Sequence, residues 1–302
     1  MITLEDRAAG CLLGLACADA LGGTVEFRNR DDLDREFPDG VLEITGGGPH
    51  RLERGEYTDD THMALAIARA ATPEGFDLDA VAGNFVTWYE AGPKDTGIAT
   101  SNALALIARG MSWREAGERL QAQSRDGVAG NGTVMRCAPI ALRFRTDPDR
   151  LREASIETSR MTHADPRATW GAVALNQGIA HFLDGGARAE VIEAATRDIA
   201  EPRVVHAVVR SPGLAHDDVP SGGYVLDILT AAFWSLLTTS TAEDAIVTAV
   251  SLGWDSDTTG AVTGALAGAA YGELALPARW LEVLHDREEI RALALRLISL
   301  HR

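Results

Sequence analysis

Two short clusters of hard oxygen donors stand far apart in the chain, Thr58-Asp59-Asp60 and Asp255-Ser256-Asp257-Thr258-Thr259, and each leads into an apolar run of helical spacing. One Ser, Thr, Asp or Asn suffices to cap a helix N-terminus, so each cluster carries more carboxylate than capping needs. Taken singly, either is also accounted for by a cap with surplus acid favoured by the helix dipole. Taken together, two acidic helix ends brought face to face make an oxygen cage of the kind that Mg²⁺, Mn²⁺ or Ca²⁺ requires. Asp255 and Asp257 flank a single residue, so an irregular turn can point both carboxylates the same way, with the Thr258 hydroxyl at the start of the helix.

The elements that must position these ends are helical. Thr61–Ala71 follows the first cluster and Gly260–Ala270 the second. In the opening segment Ala8, Cys11, Leu12, Leu15 and Ala16 recur at the spacing of one buried helix face. Ser112 with Glu115 forms a capping box ahead of Leu120, and Thr241 with Asp244 resembles one ahead of Ile246 and Val250. Further helices are predicted over 78–89, 100–109, 150–159, 167–183, 187–199, 224–237, 279–284 and 288–300. Strand alternation is almost absent, with Gly40–Thr45 its only short trace. Gly260, Gly264 and Gly268 repeat every four residues, at a cost of about 1 kcal/mol each in a helix interior. Such a stripe is expected to let another backbone approach closely. The longest stretches without helical pattern, Gly22–Thr58 and Val209–Gly223, lack the Ser/Gly bias of linkers and are of the long, ordered kind that often carries function. With no linker and no internal repeat, residues 1–302 read as one all-α domain.

Composition removes several function classes. A net charge of −16 with no basic stripe speaks against a nucleic-acid surface. No apolar run reaches the length of a membrane span, and the charged start Met1-Ile-Thr-Leu-Glu-Asp-Arg lacks the apolar stretch of a signal peptide. Cys11, Cys17 and Cys137 have neither metal nor disulfide spacing; Cys11 and Cys17 read as small core residues. A reduced, cytoplasmic protein is expected.

Six motifs in order resemble the ADP-ribosylglycohydrolase family, in particular its dinitrogenase reductase-activating glycohydrolase branch. They are Gly14-Leu-Ala-Cys-Ala-Asp-Ala-Leu-Gly22 with Glu26 after it, Tyr57-Thr-Asp-Asp-Thr61, Gly130-Asn-Gly-Thr-Val-Met-Arg136, Thr162-His163, Gly222-Gly-Tyr-Val-Leu226 and Leu252-Gly-Trp-Asp-Ser-Asp-Thr258. The resemblance covers essentially the whole chain. It implies a compact orthogonal helical bundle with a dinuclear metal site in a cleft, the ligands being Thr58, Asp59, Asp60, Asp255, Asp257 and Thr258, with Glu26 nearby. Five carboxylates and two threonines offer more oxygens than one ion can use, whereas two ions about 3.5–4 Å apart can share them. Mg²⁺ and Mn²⁺ suit such a site equally.

On this reading the reaction cleaves the bond at C1″ of the distal ribose through an oxocarbenium-like transition state. The ions hold the 2″- and 3″-hydroxyls and position a water below C1″. Asp60 or Asp257 is the expected proton acceptor, and Glu26 the next choice. The resemblance places Gly130, Asn131, Gly132 and Thr133 on the diphosphate, before a helix expected near Val134; taken without it, the segment is an ordinary loop. Arg136 either adds charge there or pairs with a core carboxylate. The same resemblance places Gly97 beside the distal ribose and Asp95 where arginine-cleaving relatives carry an acidic residue, able to grip a leaving guanidinium; the plain alternative is a solvent-facing loop aspartate. His163 matches a family histidine near the ligand, although a lone His at a helix boundary is more often a capping or packed residue. Tyr224, ordinarily a core aromatic, falls near the adenosine end. Trp254 departs from the family pattern and is expected to wall the site. The leading reading is removal of ADP-ribose from protein arginine. Serine-, acetyl- or nucleotide-linked ADP-ribose presents the same C1″, and an ADP-ribose-binding or immunity protein acting against a transferase is the alternative from another class.

Overall fold

The computed structural model describes residues 2–300. Among them sixteen α-helices and one minimal hairpin, Ala71–Thr72 against Gly75–Phe76, make an all-α architecture. Apolar side chains from Ala8 to Leu297 form one contiguous core, and Val219, Ala231, Trp234 and Leu252 form a small satellite.

The first helix, Leu4–Gly22, is buried on every side from Ala8 onward, not along the single face that its spacing predicts. It runs antiparallel to the Ser256–Tyr271 helix, because Gly10 meets Gly268 at one end and Gly22 meets Ser256 at the other. A Cβ on Gly10 would stand 2.5 Å from the Gly268 carbonyl oxygen, and one on Gly22 would stand 2.3 Å from that of Ser256. The small-residue stripe therefore does let two backbones touch. Its consequence for the site is positional: the C-terminal end of the first helix lies at the N-terminal end of the helix that carries Asp257. Ser256 locks that end by donating its hydroxyl to the Gly22 carbonyl at 2.9 Å.

Most predicted helices appear within a residue or two, the ordinary uncertainty of helix ends. Thr241 accepts from the Asp244 amide at 3.0 Å, and Ser112 caps the Trp113–Gln123 helix. Four expectations change. Gly40–Thr45 forms no strand, since it has no pairing partner. The 22–58 stretch contains a helix, Arg30–Glu36, which buries only Leu33 and so leaves almost no periodic signal. A second unforeseen helix, Pro202–Arg210, begins with proline at its first position, capped by Glu201. The 187–199 segment is broken into a short 3-10 turn and Val191–Thr196, and Asp198 follows at φ +56°.

Candidate functional site

The first acidic cluster lies inside a helix, not ahead of one. The helix runs Asp59–Arg69, two residues earlier than its apolar spacing suggests, with Thr58 as N-cap and both aspartates in the first turn. Its N-terminus docks on Asp19 of the first helix. That fully buried carboxylate accepts the Thr58 amide at 2.9 Å, the Thr61 amide at 3.0 Å and the Thr61 hydroxyl at 2.6 Å. Asp19 thus provides the external capping that frees Asp59 and Asp60 for other work.

The second cluster opens the Ser256–Tyr271 helix. Asp255 occupies the N-cap position yet makes no side-chain cap bond. Its carboxylate instead accepts from Asn131 Nδ2 at 2.8 Å, and the same amide group reaches Thr258 Oγ1 at 3.2 Å. Ahead of it, the Phe27 amide donates to the Trp254 carbonyl at 2.6 Å and the Trp254 amide to the Arg28 carbonyl at 2.7 Å. This backbone exchange puts Phe27 and Trp254 at positive φ and carries Glu26 to the flank of Asp255 and Asp257.

The two clusters meet. Thr258 Oγ1 lies 3.5 Å from Asp60 Oδ1. Burial pushes the pKa values of Asp59, Asp60 and Asp257 well above the usual carboxylate range. Neighbouring charges push the same way: Asp95 on Asp59, Asp257 on Asp60, and Glu26 on Asp257. Asp60 Oδ2 and Asp257 Oδ1 are buried and accept no hydrogen bond from any described group. A buried oxygen without a donor is costly, and several gathered carboxylates repel. Divalent cations relieve both, so the donor set fits the ions expected from the sequence.

A cleft of about 440 Å³ opens onto this centre. Glu26, Asp59, Asp95, Gly97, Asn131, Gly132, His163, Asp255, Asp257 and Thr258 all line it, whereas Thr58 and Asp60 are buried outside its lining. The Gly97 amide donates to Asp59 Oδ2 at 3.3 Å. The segment from Asn131 to Arg136 is a series of turns, and the helix begins only at Ala138, because Pro139 sets its first turn and Val134 and Met135 bond back to the Asn131 carbonyl. The Thr133 hydroxyl is spent on the Ala168 carbonyl at 2.9 Å, which leaves that residue only its backbone amide to offer a ligand. His163 is buried against Gly132, where a Cβ would come within 2.6 Å of the ring; burial lowers its pKa to about 3, so the imidazole is neutral. Tyr224 is displaced from the cleft lining. Its backbone pairs with Gly130, while its ring lies under the Arg167 guanidinium and faces a neighbouring depression with Arg203 and His206. Trp254 does not wall the cleft: it is 54% exposed and lines a different depression with Arg30 and Pro220.

Arg136 likewise misses the cleft surface. It is wholly buried beneath it, stacked over Phe85 at 4.8 Å and donating to Thr162 Oγ1 at 2.7 Å; burial lowers its pKa to about 10, opposed by the Asp59 charge. Two groups at the site escaped the sequence reading. Asp19 lies inside the Gly14–Gly22 motif, and an aspartate between Ala18 and Ala20 in an apolar helix is its sequence signal. His50 had no signal, since it sits in the Gly-rich 46–52 loop. Its Nε2 stands 2.6 Å from Glu26 Oε2 and 3.8 Å from Asp95 Oδ1.

The profile of the ADP-ribosylglycohydrolase family matches residues 1–302. Among curated proteins, one from Pseudomonas putida named an ADP-ribosylarginine hydrolase is 35% identical, over 97% of this chain and 78% of its own length. A Rhodospirillum rubrum protein, named as the glycohydrolase of ADP-ribosylated dinitrogen reductase, is 32% identical over 95% of this chain and 93% of its own. A solved structure described as an ADP-ribosylglycohydrolase-related protein complex superposes with a TM-score of 0.85 at 36% identity, covering 100% of both chains.

Proposed function

The chain belongs to the ADP-ribosylglycohydrolase family, and on that premise we propose that it is a metal-dependent hydrolase that releases ADP-ribose from ADP-ribosylated arginine on a protein. The observation that carries the reading is the pair of buried, unpartnered oxygens, Asp60 Oδ2 and Asp257 Oδ1, at two helix N-termini that converge over one cleft. Thr58, Asp59, Asp60, Asp255, Asp257 and Thr258 are assigned as ligands of two ions, Mg²⁺ or Mn²⁺. When bound, the ions supply positive charge that fixes the ribose hydroxyls and acidifies a water.

The chain's own groups do the rest. Asp60 or Asp257 takes the proton from the attacking water, with Glu26 as the alternative base. The amides of Gly132 and Thr133 make no bond to a carbonyl of the described chain and are assigned to the diphosphate. His163, being neutral and packed on Gly132, holds that loop in place. Gly97 positions Asp59 against the distal ribose. Asp95 lines the cleft within charge range of Asp59 and Glu26, and so adds to a carboxylate group that suits a cationic guanidinium better than a serine oxygen. Tyr224 acts at the adenosine end through the loop it pairs with, not through its ring. The intact donor set favours turnover over the binding-only, immunity reading. Residues 1–302 act as one domain, supported by the contiguous core, and the reduced state of three buried free cysteines fits a cytoplasmic protein. No helix among the described residues is long and apolar enough to cross a membrane.

The experiment is a panel of arginine-, serine- and nucleotide-linked ADP-ribosylated substrates, each assayed with Mg²⁺ and with Mn²⁺. Release from arginine alone, and only with metal, is the expected result. Release from serine or nucleotide but not arginine reassigns the acceptor.

A further inference from the structure

Behind Glu26 and Asp95, which line the cleft, the chain places an imidazole. His50 Nε2 faces Glu26 Oε2 at 2.6 Å and Asp95 Oδ1 at 3.8 Å, and one donor atom from each of the three residues fits within a 4.8 Å cluster. The other ring nitrogen, Nδ1, lies 3.3 Å from the Lys94 carbonyl oxygen. A carbonyl only accepts, so Nδ1 carries a hydrogen and Nε2 faces the two carboxylates, with one shared proton in the Nε2–Oε2 contact. A histidine whose second N–H is tied to a backbone carbonyl is the arrangement that orients an imidazole for a metal. The ring of Phe27 stands edge-on to it at 6.0 Å.

We propose that Glu26, His50 and Asp95 form a binding site for a borderline transition-metal ion, with Zn²⁺ as its type, adjoining the all-oxygen centre at Asp60 and Asp257 and distinguished from it by the imidazole donor. The donor chemistry makes the distinction. Imidazole selects zinc-like ions, whereas carboxylate and hydroxyl oxygens alone suit Mg²⁺ and Mn²⁺. Zinc binds His nitrogen at about 2.0–2.1 Å and carboxylate oxygen at about 2.0–2.2 Å, so donors around a tetrahedral ion stand roughly 3.4 Å apart. The two His50 separations of 2.6 and 3.8 Å bracket that value, and all three donors lie within 4.8 Å of one another, so side-chain rotation has to draw Glu26 and Asp95 around the ion. On binding, the ion takes the place of the shared proton, which leaves to solvent, and a water completes the fourth position. The ion ties Glu26 to Asp95 and neutralises both. If the hydrolase reading is right, it therefore inhibits, and competes with a guanidinium for Asp95. Binding itself stands independently of that reading; only the inhibition rests on it.

Equilibrium dialysis of the full chain with Zn²⁺ in excess Mg²⁺ tests the site without any substrate. One Zn²⁺ per chain is expected for the wild type, with affinity lowered at least about tenfold in His50→Gln and in Asp95→Asn, and with one histidine nitrogen in the zinc X-ray absorption spectrum. Zinc fully displaced by Mg²⁺, or bound equally by correctly folded His50→Gln, overturns the site. In hydrolysis assays, with each protein normalised to its own zinc-free rate, His50→Gln should need at least about ten times more Zn²⁺ for half-inhibition. Equal inhibition of both proteins overturns the inhibitory role.

Discussion

Gly14 and Gly264 meet backbone to backbone: a Cβ on Gly264 would stand 2.1 Å from the Gly14 carbonyl oxygen, and one on Gly14 would stand 2.4 Å from that of Gly264. This contact, midway along two antiparallel helices, sets how far Asp19 and Glu26 lie from Asp255 and Asp257. Gly264→Ala is therefore expected to destabilise the fold by about 1–3 kcal/mol or more, as overpacking does. It should also lower activity, because the helix carrying Asp257 must move away. Urea denaturation checks the first effect, and an unchanged midpoint would mean that the helices do not touch in solution.

Metal removal should abolish turnover. Chelation with EDTA is expected to stop hydrolysis, with Mg²⁺ or Mn²⁺ restoring it and two ions counted per chain by metal analysis. Because the buried carboxylates repel one another without cations, either ion should also raise Tm by binding the folded state alone. Full activity in chelator would sink the metal reading.

Asp60→Asn and Asp257→Asn each keep the side-chain volume while removing a charge. Turnover should fall at least about 10²-fold in each, the scale of losing a general base or electrostatic stabiliser. The helical circular dichroism should persist, since Asp19 continues to hold the Thr58 end. Unfolding in place of inactivation would make these residues structural.

Asp95→Ala tests the leaving group. A charge-assisted hydrogen bond is worth about 1.5–3 kcal/mol, so arginine-linked hydrolysis should slow by roughly tenfold to a hundredfold while other linkages change much less. Equal slowing of both removes the guanidinium assignment. Trp254→Gly, by contrast, should leave the linkage preference alone, because the indole faces away from the cleft. Trp254 sits at φ +57°, where glycine is relaxed, so relief of backbone strain should offset part of the burial that the half-exposed indole loses.

His163 gives a pH signature. Burial lowers its pKa from 6.5 to about 3, with the Arg136 charge acting in the same direction. Between those values the unfolded chain binds a proton that the folded chain does not. Stability therefore rises with pH through that window and is lost as pH falls, by at most about 1.4 kcal/mol per pH unit. His163→Gln should flatten the pH dependence of the urea midpoint between pH 6.5 and 4. A slope identical to the wild type would show that the imidazole is not buried and neutral.

The residue types of Thr58, Asp59, Asp60, Asp255, Asp257 and Thr258, and the helices that they open, are local properties, written in capping chemistry and in the period of apolar side chains. So is the glycine stripe, whose cost in a lone helix already implied a close partner. The sequence by itself therefore determined the all-α class, the oxygen-donor chemistry and the existence of a tight helix pair. It could not say which helix fills the stripe, because contact between residues some 250 apart has no period to read. Nor could it show that Asp19 caps the Asp59 helix, that Arg136 and the Tyr224 ring turn away from the cleft, or that Trp254 faces another depression. Side-chain direction at a loop is decided by long-range contacts, for Trp254 its backbone bonds to Phe27 and Arg28, and by what each side chain finds to bury. His50 is the sharpest case: nothing in its Gly-rich surroundings marks it, and it acquires meaning only when the tertiary structure folds its loop between Glu26 and Asp95.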